Sequence, residues 1–479
     1  MYNNKKFSRG VVLMKLHKII EERLATIKLN DKSGNPIEPE QSFREYCIIK
    51  NMLLSEFGNG DIVGIKFDKD YKYLLTLLAC MSIGLTYIPL SNKWPDERIE
   101  QIRTLSGCRV LTEEMFDFHS SNDSISNKVI MNETLYIIFT SGSTGAPKGV
   151  KISRGAYLDF LLWSNDYFIG ITEDDRALLT TDFTFDISLV DVSLLLSKNI
   201  RLYMSNFNNN VFKLLYELES YKITIHSTVP YNYSMIMHED VFPKADISSL
   251  KHIMIGGARF PNNLYANFKK YLPTANIYNF YGPTEATIYC SIHKFNYTKS
   301  EVYNNNVTIG RPFYNNRFTI IADELYIAGT QLMSGYLNDE LKTSQVLIDI
   351  EGTMHYKTGD VVFKSEEGNY FIVGRKDDTV KVTGYRVNLS DIDSYILQLE
   401  YINNVATVAI ENSVSENDLV SYIISDDSKV EVKKIKRDLK EIMPEYQIPK
   451  FIKIVESFPL NNSGKICKLT LKKIFQSEK

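Results

Sequence analysis

The chain has 479 residues, 44% of them hydrophobic and 24% charged, a balance that suits two to four packed domains and excludes a disordered chain. A net charge of −3 with interleaved signs gives no basis for expecting nucleic acid or an anionic membrane as partner. No run approaches the ~18 apolar residues of a spanning helix, and five scattered cysteines (Cys47, Cys80, Cys108, Cys290, Cys467) without a CxxC pair argue against a disulfide framework or structural zinc.

The N-terminus has a basic start but no apolar core of useful length, so it reads as the lead-in to an amphipathic helix near Lys15–Ile27. A cytoplasmic monomer with reduced thiols is the expectation. Residues 60–92 read strand–helix–strand: GDIVGIKF, then YKYLLTLLACMSIG at helical spacing, then TYIPL. Further short apolar runs follow at 135–139, 176–181, 222–227, 252–256 and 275–280. Strands separated by helices predict an α/β domain with largely parallel sheets. From about 307 the pattern turns to short strands and tight turns (RFTII, ELYIAG, YFIVG), which predicts an attached β subdomain.

GRKDD at 374–378 marks the clearest boundary. After it, Ser390 with Asp393 has the spacing of a capping box. Two strand-like runs, an amphipathic helix and a last strand complete about a hundred residues. The expected division is 1–376 as the main domain and 377–479 as a small α+β unit.

YIIFTSGSTGAPKGV at 136–150 carries the strongest local signal. A buried strand runs into glycines that let backbone approach phosphate, hydroxyls that donate, and one cation, Lys148. It fails the Walker pattern because Pro147 precedes the lysine and Gly149 follows it. By composition alone a flexible Ser/Gly turn fits equally.

The string resembles the phosphate loop of the adenylate-forming superfamily, which includes acyl-CoA synthetases, luciferases and nonribosomal peptide synthetase adenylation domains. The resemblance continues in order along nearly the whole chain. LLACMSIGLTYIPLSNKWPDERI (77–99), FDISLVD (185–191), NFYGPTEAT (279–287) and ELYIAGTQLMSGYLND (324–339) match successive core motifs. YKTGD (356–360), GRKDDTVKVTGYRV (374–387), MPEYQIP (443–449) and NNSGKICK (461–468) match the rest. Free-standing length and GPTEAT also resemble D-alanine–carrier protein ligases. The implied fold is a large N-terminal domain and a mobile C-terminal lid.

The resemblance implies ATP and Mg²⁺ as cofactors. Thr140, Ser141, Gly142, Ser143, Thr144, Gly145 and Lys148 would hold phosphate. Gly257, Ala258 and Arg259, then Asn279, Phe280, Tyr281 and Gly282, would flank adenine, with Tyr281 suited to stacking and Asn279 to the amino edge. Thr284 would reach the α-phosphate and Glu285 offers hard oxygens for Mg²⁺. Asp360 would accept the ribose hydroxyls with Arg375 assisting. Taken singly, several of these are also ordinary turn residues. Thr140, Glu285 and Lys465 are the catalytic candidates. Lys465 would bridge the substrate carboxylate and the α-phosphate, offsetting the repulsion of two anions brought together. Asp377 would be the hinge that lets one lid serve two reactions, the second bringing the TGYRV loop around Gly384 to a thiol tunnel.

Relatives that activate α-amino acids carry Asp at position 186, and a buried carboxylate invites an amine. Asp186 is equally placed to N-cap the following helix. By the same transfer the pocket is Asp186, Ile187, Val190, Ser227, Met254, Gly256, Phe280, Ile288, Tyr289 and Lys465. Two bulky aromatics favour a small side chain: glycine, then alanine, then serine. Ala258 stands where many relatives have Glu, and Asn388 where Glu is usual. The implied reaction is amino-acid adenylation followed by transfer to the phosphopantetheine thiol of a carrier protein acting in trans. An acyl-CoA ligase and a non-catalytic ATP-binding protein are the alternatives.

Overall fold

The computed structural model describes residues 9–118, 129–140, 147–207, 210–237, 245–258, 260, 262–303, 306–376, 379–402, 404–412, 416–425, 430–459 and 466–478. Two sheets dominate the main part. A six-stranded sheet runs Gly335–Tyr336, Lys148–Ser153, Thr134–Thr140, Thr86–Ser91, Ile62–Phe67, Arg109–Leu111. Its last four strands pair in parallel and its first two antiparallel. The strands are almost continuously apolar because helices cover both faces. Tyr71–Ile83 is one such helix, buried at every residue except Lys72.

The nine-stranded sheet has a parallel centre: Asn276–Tyr281, His252–Ile255, Ile225–Thr228, Arg176–Leu179 and Arg201–Met204, with antiparallel additions at each side. In such sheets ligands bind beyond the carboxyl ends of the strands. Ser227, Gly256 and Phe280 lie at or just past those ends. A five-stranded antiparallel sheet built from Arg317–Ile321 through Tyr370–Arg375 forms the β subdomain. The mixed α/β architecture is the expected one.

After residue 378 the hairpin Thr379–Val382 and Tyr385–Asn388 leads into helix Leu389–Ile396. Beyond it lies the sheet Asn404–Glu411, Asn417–Ile424, Phe451–Ile454. Val387, Ile392, Ile396, Ile423, Ile435 and Leu439 form an apolar cluster of their own, separate from the main core.

One local expectation needs correction. The first helix spans Arg9–Leu24, because Ile27 already leads into strand Lys28–Asn30, which pairs with Arg201–Met204. The Ser390 side chain of the expected capping box lies outside the described residues; the helix covers Leu389–Ile396, and the Asp393 carboxylate accepts the Thr407 N–H at 2.8 Å.

Candidate active site

The phosphate-loop strand Thr134–Thr140 and its return strand Lys148–Ser153 pair so that Thr140 sits opposite Lys148. The two ends of the loop therefore present a hydroxyl and an ammonium side by side. Burial lowers the Lys148 pKa, and the nearby Arg386 guanidinium lowers it further. Residues 141–146, Arg259, Asp377 and Lys465 lie outside the described residues, so the roles expected of them rest on sequence.

Asp360 and Arg375 are directly opposed on adjacent strands. Arg375 Nη1 lies 2.5 Å from Asp360 Oδ1, and the Tyr281 hydroxyl donates to Oδ2 at 2.6 Å. Three residues expected around ribose and adenine thus form one connected group. Asn279 is buried, and its amide nitrogen donates to the Thr308 carbonyl at 2.7 Å, which anchors the side chain to the scaffold.

Glu285 is buried in the turn after Tyr281. Its Oε1 accepts from the Tyr336 hydroxyl at 2.9 Å, and Arg386 Nη1 sits 3.1 Å from both oxygens. Burial alone would raise its pKa; the Arg386 guanidinium together with hydrogen bonds from backbone, Tyr336 and Tyr356 outweighs that and holds the carboxyl below its usual range. Arg386 belongs to the TGYRV hairpin, so the C-terminal unit reaches the centre of the site. A divalent cation would need the oxygens that Arg386 holds, so metal and Arg386 are alternative partners of this carboxylate.

Asp186 is buried but does not cap the helix Ser188–Lys198, whose N-cap Ile187 has no side-chain bond. Its Oδ2 has no partner. Burial pushes its pKa up to about 6, with Thr284 and the Lys381 ammonium pulling the other way. The Ser227 and Tyr289 hydroxyls nearby in the set are likewise buried and unpartnered. Phe280 stacks on Tyr289 at 4.6 Å, and both are fully enclosed. Gly256 faces this stack: a Cβ there would meet Tyr289 Oη at 2.4 Å. The aromatic at 289 therefore occupies the volume a side chain at 256 would need. Ile187, Val190, Met254 and Ile288 are buried in the same core.

A cleft of about 1100 Å³ opens between the core and the C-terminal unit, lined by Asp182, Phe185, Val229, Thr383, Tyr385 and Glu416 among others. Gly384, between the lining residues Thr383 and Tyr385, has φ +86° and packs so closely on Val229 that a Cβ there would clash with it. Tyr385 stacks on Tyr446 at 4.0 Å and leans on Phe185.

The sequence pattern described as "AMP-binding enzyme" matches residues 112–337. Residues 112–337 thus carry an AMP-binding domain. Among its relatives, bacitracin synthase 1 of Bacillus licheniformis is 31% identical over 433 residues, covering 86% of this chain but 8% of that protein. The chain thus spans a small fraction of that relative's length. The D-alanine–D-alanyl carrier protein ligase of Listeria monocytogenes is 29% identical, covering 82% of this chain and 85% of that one. The solved adenylation domain AlmE of Vibrio cholerae, in complex with glycyl-adenosine-5'-phosphate, superposes with TM-score 0.83 at 20% identity over 100% of this chain and 99% of that one. At that identity the likeness speaks for the fold.

Four further groups surround the site that no sequence motif singled out: Tyr336, Tyr356 and Arg386 about Glu285, and Lys381, whose charge acts on Asp186. The last two were visible as cations five residues apart around the Thr383-Gly384 turn. Their pairing depends on a hairpin register that no local pattern announced.

Proposed function

We propose that the protein activates a small amino acid with ATP, releasing pyrophosphate, and then passes the aminoacyl group to a phosphopantetheine thiol of a separate carrier protein. The observation that carries this reading is Asp186: a buried carboxylate with an unpartnered oxygen, whose charge reaches the likewise unpartnered Tyr289 hydroxyl. A buried unpaired acceptor costs ~1–3 kcal/mol, and a substrate ammonium would recover that cost. Asp360, with Tyr281 and Arg375, would hold the ribose. Lys148 and Thr140 would meet phosphate. Glu285 would take Mg²⁺, which supplies charge neutralisation on the phosphates, once Arg386 has withdrawn. The tight fit of Tyr289 against Gly256 supports a small side chain, glycine before alanine before serine.

The division of labour follows from chemistry. Lys465 would offset the repulsion between carboxylate and α-phosphate in the first step. The cleft beside Gly384 would admit the thiol in the second. The relatives named carrier protein ligase and synthase favour a carrier over coenzyme A as acceptor.

Amino-acid-dependent ATP–pyrophosphate exchange tests the reading. Glycine or another small amino acid should give the highest rate. Phenylalanine or tryptophan as best substrate would refute the pocket argument, and exchange with fatty or aryl acids alone would favour the acyl-CoA ligase alternative. Lys465→Ala should abolish exchange while ATP binding by calorimetry persists.

A further inference from the structure

Among the described residues, one cleft carboxylate is placed on the hairpin turn itself. Glu416, the residue before strand Asn417–Ile424, is buried, and its Oε2 accepts the Thr383 N–H at 3.1 Å. Thr383 and Glu416 line the cleft together with Val229 from the core. Val229 touches two glycines: Gly384 packs on it from the hairpin, and a Cβ on Gly257 would meet its Cγ1 at 3.4 Å. Gly257 follows Gly256, which faces Tyr289 in the proposed amino-acid pocket. A slender arm in the cleft would therefore reach that pocket past Val229 and the turn that Glu416 holds. The other described cleft carboxylates are committed elsewhere. Asp68 accepts from Asn92 at 2.9 Å and pairs with Lys32, Asp418 pairs with Lys450 at 2.9 Å, and Asp182 accepts from the Thr184 N–H and hydroxyl. Glu445 is exposed.

We infer that Glu416 takes the thiol proton in the transfer step; this rests on the adenylation-and-transfer reading above. A thiol near its usual pKa of ~8.5 is mostly protonated at neutral pH, and that form is a poor nucleophile. The S–H proton moves to the Glu416 carboxylate as the sulfur attacks the carbonyl carbon and the C–S bond forms. The bond from that carbon to the phosphate oxygen breaks, and its electron pair leaves with AMP. Glu416 then returns the proton to water in the cleft. Burial pushes the Glu416 carboxyl up to about 7, against the Thr383 and Asn417 N–H groups and the Lys381 charge. The titratable groups facing it are Lys381 on the hairpin, Tyr231 on the core helix Pro230–Ile236, and the Asp418–Lys450 pair beside that tyrosine. A general base works best with a pKa near the working pH, whereas an ordinary Glu at ~4.3 holds a proton too weakly. The adenylation step makes no such demand, because its nucleophile is already a carboxylate.

The test uses the full chain and its Glu416→Gln variant, with pantetheine as the thiol. Single-turnover transfer from enzyme-bound aminoacyl adenylate is read as the thioester across neutral pH, and amino-acid-dependent ATP–pyrophosphate exchange is measured alongside. Below about pH 7 the Glu416 carboxylate is protonated, so the parent's transfer rate should fall about tenfold per unit there and level off above. In Glu416→Gln the ratio of transfer to exchange at neutral pH should drop ~100-fold, and transfer should keep climbing until the thiol itself ionises near ~8.5. A parent rate that climbs to ~8.5 with no break near 7 overturns the assignment whether or not the variant folds. So does a variant ratio within about threefold of the parent, or a break that the substitution leaves in place. A parent protein with no exchange for any amino acid would instead remove the adenylation reading, and this inference with it.

Discussion

The two ends of the site are built on opposite rules. At the end proposed for ribose Asp360 is saturated: Tyr281 donates to one oxygen, Arg375 to the other, and its own N–H donates to Thr358 Oγ1 at 3.0 Å. At the end proposed for the amino acid Asp186 Oδ2, Ser227 Oγ and Tyr289 Oη are all buried without partners. A saturated cluster is a rigid frame; an unsaturated one is a vacancy shaped in hydrogen bonds as well as in volume. On the proposed function, selectivity would belong to the unsaturated end, and the frame would hold what every substrate shares.

The contrast can be broken most severely at Asp186. Asp186→Ala should lower amino-acid kcat/KM by about 100-fold or more, the scale of ~3 kcal/mol for a desolvated ion pair losing one member, with the KM for ATP little changed in the exchange assay. Titration gives the next largest effect. The Asp186 pKa is raised to about 6, so the carboxylate is ionised above that pH and neutral below it. Amino-acid KM should climb toward tenfold per pH unit as pH falls below 6 and flatten above it, and Asp186→Asn should erase that dependence. At the frame, Asp360→Asn should raise ATP KM about tenfold through the weakened Arg375 contact, worth ~1.5 kcal/mol, while amino-acid selectivity stays put. The smallest expected effect is Tyr289→Phe. Removing an unpartnered hydroxyl should leave glycine-dependent exchange within about threefold. A tenfold loss would mean that the substrate side chain brings a polar group to meet it.

Much of this was legible in the sequence because strands and their ends are local. The apolar runs at 135–139, 252–256 and 275–280 became Thr134–Thr140, His252–Ile255 and Asn276–Tyr281. What was not legible depends on pairing across distance. The Asn279 amide donates to the Thr308 carbonyl, 29 residues away, and the Asp393 carboxylate accepts from the Thr407 N–H, 14 residues away; no local pattern announced either contact. Lys381 and Arg386 gained meaning only from the register that opposes them and from Glu285, 101 residues earlier. Asp186 had two readings, cap or ligand, and the free Ile187 N-cap with an unpartnered Oδ2 removes the first.

The chain has two tryptophans, and they occupy contrasting stations. Trp163 is locked in the core, stacked 3.6 Å from Phe313. Trp94 borders the cleft and lies under the Arg98 guanidinium, whose Nη1 bonds the Tyr395 hydroxyl of the C-terminal unit at 3.3 Å. Rotation of that unit would strip Arg98 of this bond and alter the field over one indole while leaving the other untouched. The molecule thus contains its own optical gauge: with Trp163→Phe as background, stopped-flow emission from a single native fluorophore would time each swing without any attached dye.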